Sequence, residues 1–248
     1  MKGSFLAVSA AVGLAAAISA CGGSSPSASP ASPARSPGSQ ASPATSAGLS
    51  PGASATGGAT SPAAGGYQRI GGSAQGVSLA IPSSWVTVDL AEMNVKQAEK
   101  RMQIKGVSSE TVDSSLQSLK KLDGLMAEDG SSAASAPGHF ATNLNAYCLA
   151  SGVTETGSAG LSSLRQTITQ EFQQDLHAQN IKIVDANLGG VPGLMTSYTV
   201  QSVSAGTLHA TQLEVRPRAG RACYVTVTAA GQVPGTVVQA AESTMRYS

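Results

Sequence analysis

The chain has 248 residues, with 15 Lys and Arg against 14 Asp and Glu, for a formal net charge of +1. Charged residues make up 12% of it, about half of the roughly 25% found in an ordinary soluble domain. That balance carries no electrostatic footprint for nucleic acid or for a strongly acidic substrate. The 28 Gly and 12 Pro show that part of the chain does not build a core.

Residues 1–20 carry Lys2 as their only charge, followed by an apolar run from Phe5 to Ile18. A positive start, a short apolar run and small residues at its end describe an export signal. A spanning helix needs about 20 apolar residues, so a retained anchor fits less well. The end of the run, Ile18-Ser19-Ala20-Cys21, resembles the bacterial lipobox. That resemblance implies that Cys21 receives a diacylglyceryl group and becomes the mature N-terminus. Two acyl chains suffice for stable anchoring, which makes the membrane the first expected partner.

From Gly22 to Gly66 every residue except Arg35, Gln40 and Leu49 is Gly, Ser, Pro, Ala or Thr. Such a segment, counted with Cys21 as residues 21–66, has little to bury against its ordering entropy and reads as a disordered spacer. Its Ser/Thr/Pro content also suits O-glycosylation. Composition changes at Tyr67, and residues 67–248 read as one domain large enough for a core.

Within that domain the expected elements run in order. Val77, Leu79 and Ile81 alternate with polar neighbours as a strand. Pro82-Ser83-Ser84 turns the chain into Trp85–Val88. Asp89, with Glu92 three residues on, forms an expected capping box for a helix running to about Lys105 and stopping at Gly106. A second helix enters at Ser109, presents Val112, Leu116, Leu119 and Met126 on one face, and ends at Gly130. The Ser/Ala stretch 131–137 reads as disordered. Residues 140–150 form a strand, and Leu161, Leu164, Ile168, Phe172 and Leu176 mark an amphipathic helix. Strands follow near 181–188, 193–203, 207–216 and 222–229. Gly189-Gly190-Val191-Pro192-Gly193 suits a hairpin turn, and Pro234-Gly235 opens a final helix carrying Val238, Ala241 and Met245. The fold class is therefore α+β, an antiparallel sheet covered by helices.

The run Gly76-Val77-Ser78-Leu79-Ala80-Ile81-Pro82-Ser83-Ser84-Trp85 resembles the strand–Pro–turn–Trp opening of PsbP-like domains. Phe140, Asn143 and Asn145 match their Asn-rich strand, and Val233 to Tyr247 resembles their terminal helix. Together with the lipobox, the chain is similar to LpqN-type lipoproteins of actinobacteria. The resemblance implies an α/β sandwich and a binding or adaptor role, with no catalytic centre. It leaves the strand order open.

Candidate chemistry is sparse. With Cys21 lipidated, Cys148 and Cys223 remain, each inside an expected strand. An exported compartment and an even count favour a disulfide, the alternative being two buried thiols. His139, His177 and His209 have no metal-ligand spacing, so no metal and no cofactor are expected. His177, near the end of the long helix, is placed to favour its terminal carbonyls. No Gly-x-Ser-x-Gly elbow and no phosphate-binding loop occurs, so the chain is not expected to be an enzyme. Arg216, Arg218 and Arg221 form a basic group between two strands. It is either a solvated hairpin loop, the preferred reading, or a site for phosphate headgroups or an acidic partner. Glu128 and Asp129 read as solvated acids at a helix end. The expected function is that of a membrane-anchored binding or adaptor domain with an unidentified protein or lipid partner. The alternative is a carrier for a small apolar or lipid ligand held under the helix 161–176.

Overall fold

The computed structural model of the chain describes residues 66–102, 109–151 and 158–248. The expected signal segment, Cys21 and the expected spacer as far as residue 65 lie outside the described residues, as does the expected helix end at Lys105 and Gly106. A small antiparallel sheet joins β1 (Tyr67–Gly72), β2 (Val77–Pro82) and β10 (Arg246–Tyr247) in the order β1-β2-β10. A seven-stranded antiparallel sheet contains β3 (Val86–Asp89), β4 (Leu125–Asp129), β5 (Thr142–Ala150), β6 (Gln179–Leu188), β7 (Val191–Ser202), β8 (Gly206–Arg218) and β9 (Arg221–Ala229). Its order is β3-β4-β5-β9-β8-β7-β6. Among the described residues four α-helices accompany them: α1 (Val95–Met102), α2 (Ser109–Lys121), α3 (Ser158–Gln174) and α4 (Gly235–Thr244). The α+β class and the antiparallel pairing agree with the expectation.

Each face of the large sheet has its own cover. One face meets the small sheet and α4 in a cluster that includes Val77, Leu79, Ile81, Trp85, Leu144, Leu213, Val225, Val238 and Met245. The opposite face carries two separate apolar clusters. In one, Leu90, Met102, Leu116 and Leu119, the latter two on α2, pack on Val88, Met126 and Tyr147. In the other, Leu164, Ile168 and Phe172 of α3 pack on Leu194, Tyr198, Leu208 and Ala210.

Four local expectations need correction. Residues 125–129 are strand β4, not the end of a helix. The helix stops at Lys121, where Gly124 N–H donates to the Leu119 carbonyl at 2.8 Å and Asp123 adopts a φ of +49°. Leu125, Met126 and Ala127 are all buried, because β4 lies between β3 and β5 and is covered on both faces. Second, the α1 capping box is made by Asn94 and Gln97. Asn94 Oδ1 accepts from Gln97 N at 3.0 Å and Gln97 Oε1 accepts from Asn94 N at 3.1 Å, satisfying two orphan amides reciprocally. Asp89 instead accepts from Ala91 N and from Gln75 Nε2. Third, the stretch after Asp129 holds two short 3₁₀ turns, and Ser132 Oγ accepts from Thr142 N at 2.7 Å. Fourth, β1 and β10 were not anticipated, since β1 has only Tyr67 and Ile70 as large apolar residues and β10 has two residues.

The hairpin turns follow their residues. Gly189 and Gly190 have φ of +60° and +95°, the sign that a tight two-residue hairpin loop requires. A Cβ on Gly189 would also fall on the Met245 carbonyl oxygen. At the outer edge, β6 carries a register shift between Gln179 and Lys182, a device that blunts an exposed sheet edge. Among the described residues no helix is long and apolar enough to cross a membrane.

Candidate functional site

Cross-strand partners share a face of the sheet, so the ladder registers place side chains directly. On the face carrying α1, α2 and α3, one row reads Glu128, Asn143, Thr228, Ala210 and Tyr198 across β4, β5, β9, β8 and β7. The next reads Met126, Asn145, Thr226, Gln212 and Thr196. The third reads Tyr147, Tyr224, Glu214 and Leu194. A diagonal polar band therefore runs from Glu128 to Glu214, through Asn143, Thr228, Thr226 and Gln212. It passes between the α1–α2 cluster, which takes Met126, Tyr147 and Tyr224, and the α3 cluster, which takes Ala210, Tyr198 and Leu194.

This band is buried. Glu128 is 6% exposed and Glu214 3%, and Asn143, Thr226 and Thr228 are as deep or deeper. Thr226 donates its hydroxyl to Gln212 Oε1 at 3.2 Å. By contrast, Asn143 Oδ1, Thr228 Oγ1, Glu214 Oε1 and the Tyr198 hydroxyl are buried with no hydrogen-bond partner. An unmade hydrogen bond on a buried polar atom costs about 1–3 kcal/mol, and native interiors hold few of them. These four lie on one face of one sheet, enclosed between the helices and the strands.

The electrostatics agree. Burial pushes the Glu128 carboxyl up to about 7, with the neighbouring Asp129 adding to the rise. Burial likewise pushes Glu214 up to about 7, opposed by the Arg216 guanidinium and a hydrogen bond with Tyr224, and helped by Glu171 of α3. Glu171 is itself raised, by burial and by Asp175. Burial raises the Tyr147, Tyr198 and Tyr224 hydroxyls as well. Tyr147 and Tyr224 stack with ring centroids 5.3 Å apart, and Phe172 meets the edge of Tyr198 at 4.6 Å.

The residues singled out from sequence scatter. Cys148 and Cys223 stand directly opposite each other on β5 and β9 and form a disulfide, on the face away from the polar band. The three arginines do not form one patch. Arg216 sits beside Glu214 and Tyr224, Arg218 is exposed at the hairpin, and the Arg221 guanidinium lies against Gly76 in the β1–β2 turn. His139, His177 and His209 are exposed, and among the described residues no group of three His, Cys, Asp or Glu is placed to hold a metal. The apolar stripe of α3 is buried as core against β7 and β8. Beside α3 an open hollow of about 440 Å³ is lined by Arg165, Thr169, Gln173, Asn180, Ile181 and Ile183. There Arg165 donates to the Ile183 carbonyl at 3.1 Å and pairs with Asp185, which caps part of the β6 edge.

Sequence reasoning missed Glu128 and Glu214. The sequence places Glu128 at a solvated helix end, whereas the structure puts it in strand β4 and buries it. Its one local signal was the apolar run Leu125-Met126-Ala127, which suits a buried strand as well as a helix. Glu214 lies in a strand of otherwise ordinary alternation and gives no local signal.

No family model and no curated protein matches the sequence. Among solved structures, the solution structure of cyanobacterial PsbP (CyanoP) from Synechocystis sp. PCC 6803 is 15% identical, with a TM-score of 0.41, covering 77% of this chain and 98% of that one. A crystal structure from Bacteroides thetaiotaomicron VPI-5482 is 8% identical, also with a TM-score of 0.41. It covers 73% of this chain, which spans about half of its length, 48%.

Proposed function

We propose that this protein is an exported, lipid-anchored binding module that takes a small polar ligand along the diagonal band of its helical face, without catalysing a reaction. The observation that carries this reading is the run of buried, unpaired polar atoms on Asn143, Thr228 and Glu214 between two apolar clusters. A ligand admitted as the two clusters part would supply the hydrogen bonds that the fold leaves unmade. Anchoring rests on the sequence, through the short apolar leader, the lipobox-like Ile18-Ser19-Ala20-Cys21 and the spacer. The LpqN-type assignment rests on the same leader and on the short motifs around Trp85 and Asn143.

Native mass spectrometry of the full chain, extracted from its own membranes, tests the binding reading. The wild-type chain is expected to carry a small non-covalent adduct that the Asn143→Leu/Thr228→Val double variant lacks. Equal adduct on both, or a bare wild-type chain, would remove the band as the binding site.

A further inference from the structure

The outer edge of the large sheet carries a row of main-chain groups that the fold does not pair. β6 is the outermost strand beyond β7, and its register with β7 runs unbroken from Lys182 to Leu188. The two-residue loop Gly189-Gly190 makes Leu188 and Val191 a hydrogen-bonded pair, and such pairs alternate along an antiparallel ladder. Lys182, Val184 and Ala186 therefore bond to β7, while Ile183, Asp185 and Asn187 turn their N–H and C=O groups outward. Two observations confirm this direction. Pro192, which has no N–H to donate to β6, stands opposite Asn187, and the Ile183 carbonyl accepts from Arg165 Nη1 of α3 at 3.1 Å. Among the described residues the other outward groups have no partner. Past Asn187 the edge is closed, because Gly189 N–H donates to the Glu242 carbonyl of α4 at 2.9 Å.

The row opens on a space. The hollow of about 440 Å³ lies along the first half of β6, with half-buried Ile181 and Ile183 on one side and Thr169 and Gln173 of α3 on the other. Its size falls within the range of binding clefts, about 300–1,000 Å³. Arg165, the charged residue of the lining, is neutralised by Asp185, so the hollow suits uncharged side chains. N–H and C=O groups alternating at strand spacing are matched by another extended chain. We infer that β6 takes an uncharged extended peptide of a partner protein as an added antiparallel strand, with alternate side chains of that peptide entering the hollow beside α3.

In the free protein the Arg165 guanidinium holds the place of an incoming strand N–H. The peptide residue opposite Ile183 exchanges both main-chain bonds with it, so Arg165 gives up the carbonyl and keeps Asp185. The side chains of that residue and of the one two positions on point to the α3 side, against Ile183 and Ile181. The Arg165 cap and the register shift between Gln179 and Lys182 keep the edge from pairing indiscriminately. A strand must displace the first and end at the second. The polar band reaches only as far as β7, so this site stands independently of ligand binding there.

Amide hydrogen exchange on the full chain tests this, with a short end-blocked peptide of alternating Val and Thr as the probe. N-methylation of its Thr residues blanks the outer edge and prevents self-association. Methylating the Val residues as well blanks both edges and makes a more apolar control. In the free chain the Ile183, Asp185 and Asn187 amides are expected to exchange fast, and Val184 and Ala186 slowly. At saturation the probe should slow Ile183 and Asp185 about tenfold or more, and the control at the same concentration should leave them unchanged. Arg165→Met removes the competing donor and is expected to tighten the probe about fivefold. Slow exchange at Ile183 and Asp185 in the free chain at every concentration would overturn the inference, since the edge would already be closed. Equal protection by probe and control, an affinity not raised by Arg165→Met, or no protection at all would each overturn it too. Protection that grows with chain concentration in the absence of peptide would replace the peptide with a second copy of this chain. Asn143→Leu/Thr228→Val should bind the probe as wild type does, which keeps failure at this edge distinct from failure of the band.

Discussion

Glu214 shows how a single side chain can be invisible in sequence and decisive in the fold. In β8 it stands between Leu213 and Val215, which face the opposite core, and alternation alone would place it in solvent. The covered second face of the sheet buries it instead. Its carboxyl holds a proton up to about 7, whereas in the unfolded chain it ionises near the ordinary carboxylate value, roughly 4.3. Between those two pH values the folded state binds the extra proton, so stability falls as pH rises and the deficit is complete above about 7. Glu214→Gln cannot ionise and should remove this group's share of the slope, leaving that of Glu128. Urea denaturation is expected to show the variant more stable than wild type at pH 8, by up to about 3 kcal/mol, with the difference vanishing near pH 4. Equal stability at both pH values would show that Glu214 is solvated.

At the scale of elements, local chemistry predicted most helices and strands. Val77, Leu79 and Ile81 alternate, and β2 follows; Leu161 to Leu176 repeat at helical spacing, and α3 follows. The failure at β4 has a specific cause. Met126 lies seven residues after Leu119, which puts both on one helical face, yet β4 brings Met126 into the same cluster from a strand. One apolar contact was thus anticipated through the wrong backbone. The disulfide belongs to this scale too. It ties the directly opposed Cys148 and Cys223 across β5 and β9, 75 residues apart in sequence. Closing a loop of that length restricts the unfolded chain and stabilises the fold by up to about 4 kcal/mol. The double variant Cys148→Ala/Cys223→Ala should lower the unfolding free energy by up to that amount, and reductant should destabilise wild type to a similar degree while leaving the variant unmoved.

At the scale of the whole molecule, the low overall charge divides between two materials. Lys2 and Arg35 are the charges before Tyr67, and the other 27 lie from Tyr67 onward. The leader and Cys21 carry the proposal about location. Palmitate labelling is expected to mark the wild type and not Cys21→Ala, with the variant leaving the membrane fraction; equal labelling would remove the anchor. Composition and local periodicity determined the α+β class and most element positions, because they depend on neighbours within a turn or a strand. Only the tertiary structure decided that Cys148 meets Cys223, that the three hairpin arginines part company, and that Glu128 and Glu214 end one buried polar band. Those relations depend on the register of strands brought together from Leu125 to Thr228. A one-residue shift in that register would turn each of these side chains to the opposite face.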